Sequence, residues 1–257
     1  YESTLFNKPS LEALVYGDYV EQDAKKVVSV FKSKTKTEGI SREDAFELNY
    51  LNMSKPETVQ YVDKLLVNNS CFFRMYEIGK DSPKTRALAA LISKAVEQPF
   101  YTEMRTNQQL GYIVGSYPMN YDETYYLNFL IQSGDYPADD LNSRANTFIS
   151  STPKIVEELT DETFQQLIDS AIERLERKPM SISERAMKNK NLIFEHNKDF
   201  ERDNKTIEAL REINKEEVAI HLEKIISEQS RKRANILAFA ENLANKSGVK
   251  SSFADLE

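Results

Sequence analysis

Apolar positions recur along this chain with two periods. Short runs near a period of two dominate up to about residue 132, interrupted by one long helical stripe, and periods near 3.6 dominate afterwards. Leu11-Glu-Ala-Leu-Val-Tyr16 predicts a short strand, stopped by Gly17-Asp18. Ala24, Val27, Val28 and Phe31 follow at helical spacing. A lone strand and helix cannot bury a core, so this pair must pack on something else. The polar stretch from Lys32 to Gly39 reads as a linker, and a domain boundary is expected near residues 40–45.

Beyond it, Val59–Val67 and Ser70–Ile78 are predicted strands, joined by a tight turn at Asn68-Asn69. Asp81-Ser82-Pro83 opens a helix with proline at an early position. Ala87, Leu88, Leu91, Ile92, Ala95 and Val96 supply its apolar stripe. Pro99 is expected to limit or restart that helix, and Gly111 to end the helical register before a strand begins at Ile113-Val114. Tyr125–Gln132 alternates cleanly, with Tyr125, Leu127, Phe129 and Ile131 on one face. The Pro118–Glu123 stretch makes it a hairpin partner of Tyr112–Tyr117.

Helices then prevail. One carries Leu141, Ala145, Phe148 and Ile149; a second runs from Phe164 to Leu175 and ends before Pro179. Ser181 with Glu184 and Asn214 with Glu217 have the spacing of capping boxes. Ala234–Ala240 is a last predicted strand. The fold class is α+β, an antiparallel sheet with helices on one side.

The 257 residues suit one large domain, or one domain plus a piece of another. A hydrophobic content of 40% supports a globular core. The net charge of -7, from 34 basic and 41 acidic residues, argues against a nucleic-acid partner, which would require a basic face. No apolar run approaches the ~20 residues that span a bilayer, so no membrane partner is expected. The chain opens Tyr-Glu-Ser-Thr, neither methionine nor a signal peptide, as expected of an excised or processed chain.

The chemistry-bearing residues are few. His196 and His221 lie 25 positions apart. Glu195-His196 could close an inverted zinc motif H-x-x-E-H, but the position of its first histidine holds Leu192. No metal site is therefore expected, and both histidines read as surface or half-buried helical residues. Cys71, the only cysteine, sits in the apolar run Cys-Phe-Phe and reads as a packed thiol. Seven scattered glycines form no phosphate loop. Carboxylates such as Glu173 and Glu184 have Arg177 and Lys188 four residues on, the pattern of solvated helix faces. Arg105 and Tyr112 remain. Either Arg105 caps helix-end carbonyls while Tyr112 packs in the sheet, or both reach into a cleft, where a guanidinium and a phenol can hold an extended peptide backbone.

The segment Gln98-Pro-Phe-Tyr-Thr-Glu-Met-Arg-Thr-Asn-Gln-Gln-Leu-Gly-Tyr-Ile-Val114 resembles the Arg-Thr-x-x-Gln-Leu-Gly-Tyr signature of the last domain of the insulin-degrading-enzyme and pitrilysin family, with Gln109 as the motif glutamine. Leu11-Glu-Ala-Leu, Leu130-Ile-Gln-Ser133 and Phe200-Glu-Arg-Asp-Asn204 match in the family's order. The resemblance implies a zinc metalloendopeptidase built from four homologous α+β domains, whose two halves close around a peptide. It makes residues 1–40 the end of the preceding domain and 41–257 the last, non-catalytic one. It places Arg105 and Tyr112 as substrate-binding residues auxiliary to catalysis, with no catalytic residue of the chain's own. Zinc belongs to the full-length enzyme and no cofactor to this fragment. The implied partners are the N-terminal catalytic half of the same chain and peptide substrates, with a homo-oligomer as a further option. Family members occur in the periplasm and the cytosol, the periplasm being favoured here. The alternative is a structural or assembly subunit of the same fold, for which the Arg105/Tyr112 pair would be superfluous.

Overall fold

The computed structural model describes residues 12–35, 53–121 and 123–247. In chain order the elements are α1 (Glu21–Thr35), β1 (Glu57–Lys64), β2 (Ser70–Lys80), α2 (Pro83–Tyr101), a π-helical turn (Thr102–Asn107), β3 (Ile113–Tyr121), β4 (Thr124–Ser133), α3 (Ala138–Glu157), α4 (Asp161–Glu176), α5 (Ile182–Phe194), α6 (Arg202–Glu212), α7 (Lys215–Ile226), β5 (Lys232–Phe239) and α8 (Glu241–Ser247). The chain divides into two compact units, Tyr1–Leu51 with Lys178–Phe200, and Asn52–Arg177 with Glu201–Glu257. The boundary expected near residues 40–45 lies outside the described residues.

In the first unit α1 forms where the helical stripe predicts it. Acidic residues in its first turn and lysines in its last complement the helix dipole. Val27, Val30 and Phe31 remain about half exposed. Residues 12–16 do not form the expected strand; a strand needs an adjacent edge to satisfy its backbone, and 12–16 enter no ladder among the described residues. At α5, Ser181 accepts from the Glu184 N–H at 3.1 Å. The Glu184 carboxylate reaches the Met180 N–H instead of that of Ser181, so the expected capping box is half made.

The second unit holds a five-stranded sheet in the order β1-β5-β2-β4-β3. All neighbours are antiparallel except β1 and β5, which run parallel. The α+β class is as expected, but the hairpin through Asn68-Asn69 is not: β5 lies between β1 and β2. Composition explains the insertion. Leu237, Ala238 and Phe239 are buried and require neighbours on both sides, whereas Glu57, Gln60, Asp63 and Lys64 suit an edge. β1 also ends at Lys64, and Leu66 and Val67 beyond it are exposed. The β3–β4 hairpin does form, with a shorter connection than expected, because Pro118 is taken into β3. Proline is tolerated there since β3 is an edge strand and no ladder bond is lost.

Helices α2, α3 and α7 cover one sheet face, and α4 and α6 pack on α2 from outside. Ser82 caps α2, accepting from the Thr85 N–H at 3.0 Å, with Pro83 in its first turn. Pro99 does not stop α2, which runs two residues past it. Phe72, Leu127, Phe129 and Ile131 meet Leu91, Ile92, Val96 and Phe100 in the core, with Phe100 edge-on to Phe129 and Phe148. A corner network ties β2 and α2 to α6: Asp81 accepts from Arg86 (3.0 Å) and from both terminal nitrogens of Arg202 (2.7 and 2.9 Å), and Arg202 also donates to Tyr125. On the other sheet face Phe73, Met75 and Leu130 are half-buried, while Tyr61, Ile113 and Ile236 are exposed.

Candidate functional site

The site begins where α2 runs out. The next turn contains one residue more than an α-helix allows: the Gln108 N–H bonds to the Glu103 carbonyl at 3.0 Å, five residues back. Such π-turns are rare and are often found at functional sites. This one is pinned from inside by Phe100, Met104 and Leu110, all fully buried. Arg105, Thr106 and Asn107 are therefore pushed outward between two anchors.

The chain reverses at Gln109, whose φ of 53° is left-handed. That conformation costs a non-glycine residue roughly 1–2 kcal/mol. The sequence points to Gly111 as the residue that turns the chain; the structure gives Gly111 another task. A Cβ at 111 would lie 1.8 Å from the Gln132 carbonyl oxygen. The glycine is there because the backbone entering β3 presses against the end of β4.

This close approach delivers Tyr112 to the surface, 85% exposed, immediately before β3. The Arg105 guanidinium carbon stands 5.3 Å from the centre of the Tyr112 ring, a cation–π stack. Arg105 does not bond helix-end carbonyls, and Tyr112 is not packed in the sheet. Among the described residues Arg105 makes no ion pair, so its five N–H donors remain for a ligand, with the phenol beside them.

Sequence reasoning missed what holds this turn. The Glu103 carboxylate accepts from Asn107 (2.7 Å) and Gln108 (2.8 Å). These bonds, Asn107 first, pull its pKa below the usual carboxylate range against a small opposing effect of burial. Gln108 accepts from Arg144 on α3 at 3.1 Å, and Arg144 is held by Asp140 at 3.0 Å and lies over Tyr136. A chain of polar contacts thus fastens the Arg105 turn to α3. The i, i+4 spacing of Asp140 and Arg144 was visible in the sequence; its link to Gln108 was not.

Residues 91–190, which contain the whole site, match a family model described as PQQ synthase PqqF-like, C-terminal lobe domain 4. Human insulin-degrading enzyme is 27% identical over 220 residues, covering 83% of this chain and 21% of that protein. The chain is thus similar to the C-terminal region of insulinase-family peptidases. It spans about a fifth of the length of the curated relatives it matches first. Among solved structures, pitrilysin shares the fold with a TM-score of 0.75 at 20% identity, over 87% of this chain and 24% of that one. An inactive peptidase M16 domain from Pseudomonas fluorescens shares it at 0.60 and 14% identity, over 86% of this chain and 51% of that one.

Insulinase-family enzymes use zinc. The described residues of this chain do not fit that metal. No group of three or more His, Cys, Asp or Glu side chains among them could hold an ion. His221 faces the Ile78 carbonyl at 3.0 Å, and Leu192, at the missing ligand position, is buried. Among the described residues no helix is long and apolar enough to cross a membrane.

Proposed function

We propose that this chain is the substrate-holding C-terminal part of an insulinase-type peptidase. In this reading Arg105 and Tyr112 bind the backbone of an extended peptide, and an N-terminal half brings the zinc and closes over it. The supporting observation is the Arg105–Tyr112 stack: an exposed phenol beside a guanidinium with no ion pair among the described residues, the latter on a hydrogen-bonded turn anchored by buried Met104. Arg105 donates to a substrate carbonyl while the ring fixes its orientation, and the Tyr112 hydroxyl donates beside it. Donors fixed before the substrate arrives need no reorganisation, which is what makes them effective at a carbonyl gaining charge. The partly exposed apolar sheet face supplies non-polar surface of a kind that suits varied peptide side chains.

The test is made in the full-length enzyme. Arg105→Ala is expected to lower kcat/KM for peptides by roughly 10- to 1000-fold, the range for removing one such donor. Zinc content and melting temperature should stay unchanged. Normal turnover by that variant, or zinc-dependent peptidase activity from the 257-residue chain alone, would reject the proposal.

A further inference from the structure

A second polar site lies away from the Arg105 turn, between the sheet, α3 and α7. An open cavity of about 810 Å³ is lined by Tyr76, Asn146, Lys154, Arg231 and Arg233 among others. Directly behind its wall is Arg74, 1% exposed on the central strand β2. Arg74 has no carboxylate partner among the described residues. It donates instead to neutral acceptors: Asn235 at 3.2 Å, Tyr76 at 3.3 Å, Asn142 at 2.5 Å, and Asn146. A buried charge is ordinarily paired, because the interior does not replace its hydration. Burial lowers the Arg74 pKa; Tyr76 opposes this, and the positive charges of Arg233 and Arg231 add to the lowering. Arg74, Arg231 and Arg233 thus lie near one another along β2 and the start of β5, and among the described residues none of the three pairs with a buried carboxylate.

The bonds from Arg74 decide what the cavity wall offers. The Tyr76 hydroxyl and the Asn146 amide oxygen are occupied as acceptors, which leaves the Tyr76 O–H and the Asn146 N–H as donors. Arg233 adds a buried Nε–H with no partner in the structure. Glu157, Glu223 and Glu228 also line the cavity, but all three are exposed, and Glu228 is paired with Arg231 at 3.4 Å. Exposed carboxylates are screened by water more than the less exposed guanidinium of Arg231, whose side chain is 18% accessible against 81% for Glu228.

We propose that this cavity binds a phosphate-class oxyanion on Arg231 and Arg233, with Tyr76 and Asn146 completing the donor set. Phosphate fits better than carboxylate because the donors line the cavity from β2, α3, β5 and the residue before β5, and a tetrahedral anion offers oxygens in more directions than a planar one. Guanidinium groups also match phosphate oxygens in pairs.

Inorganic phosphate is the probe, titrated calorimetrically into the 257-residue chain at fixed ionic strength, with acetate titrated in parallel. Saturable phosphate binding is expected, with acetate at least tenfold weaker. Arg233→Gln and Arg231→Gln, both outside the buried network, should each weaken binding by about tenfold or more, as losing a charged hydrogen bond does. Circular dichroism of both variants should match the parent. Non-saturating heats, equal binding of acetate, or undiminished binding by folded Arg233→Gln and Arg231→Gln would each overturn the proposal.

Discussion

Replacing Gly111 by alanine tests the construction of the Arg105 turn most directly. The added Cβ would sit 1.8 Å from the Gln132 oxygen, where real Cβ atoms stay at least 3.0 Å away. Some 1.2 Å (3.0 − 1.8) must be found by moving backbone, because no flexible side chain is there to yield. The Ile113–Gln132 pair at the start of the β3–β4 ladder is the first to separate. Overpacking of this kind costs typically 1–3 kcal/mol and sometimes more, and a backbone clash belongs at the upper end. The Gly→Ala change also stiffens the unfolded chain, which returns about 0.4–1 kcal/mol. The net expectation is a loss of about 2 kcal/mol or more, or a melting temperature lower by roughly 4–8 °C for a chain of this size. Gly115→Ala is the control: its Cβ would meet nothing closer than the Tyr117 ring at 3.9 Å, so only the unfolded-state effect remains. Thermal unfolding of both variants under one set of conditions decides the matter. If Gly111→Ala melts within a degree of the parent, or below it by no more than Gly115→Ala does, the close-approach explanation is wrong.

Other parts of the structure make separate predictions. Asp81→Asn leaves Arg86 and Arg202 facing a neutral group and should destabilise by about 3 kcal/mol, the low end for a broken buried pair because the carboxylate is partly exposed; urea denaturation measures it. Asn214→Ala removes a complete capping box from α7 and should cost about 1 kcal/mol in the same assay. Burial holds the His221 pKa below its ordinary value, Lys224 and Lys84 add to this, and the bond to Ile78 opposes it. The unfolded chain therefore takes up a proton near pH ~6.5 that the folded chain resists, so stability falls as pH drops through that value and levels off below the folded pKa. Melting curves between pH 7 and 5 should show this fall, and His221→Gln, which can still donate to Ile78, should flatten it; equal slopes would exclude His221 as the cause.

What the sequence disclosed was whatever is decided locally. Ser82-Pro83, Asn214 with Glu217, and the alternation of Tyr125–Gln132 each act within a few residues, and the elements they announce are present. Pairing decided across the chain was hidden: nothing near Asn68-Asn69 indicates that residues 232–239 will separate β1 from β2. The site was half legible. Arg105 and Tyr112 stand out by type and spacing, but an extra residue in a helical turn leaves no periodic trace, so neither the π-turn nor the strain at Gln109 could be read. Gly111 drew notice as a glycine, yet its reason, the oxygen of Gln132, is 21 positions away.

The position of β5 also sets a timetable. Its insertion makes it, among the described residues, the only ladder partner of β1 and the second neighbour of β2. From Lys64 to Lys232 is 168 residues (232 − 64). At a synthesis rate of about 5–20 residues per second, a ribosome takes roughly 8–34 s to cover them. During that interval β1 has no edge to join, and β2 shows nascent-chain surroundings one unpaired side. A chain cut short before Lys232 lacks the middle of its sheet rather than one border, and a chaperone or protease meeting the nascent protein finds both flanking strands accessible until β5 emerges.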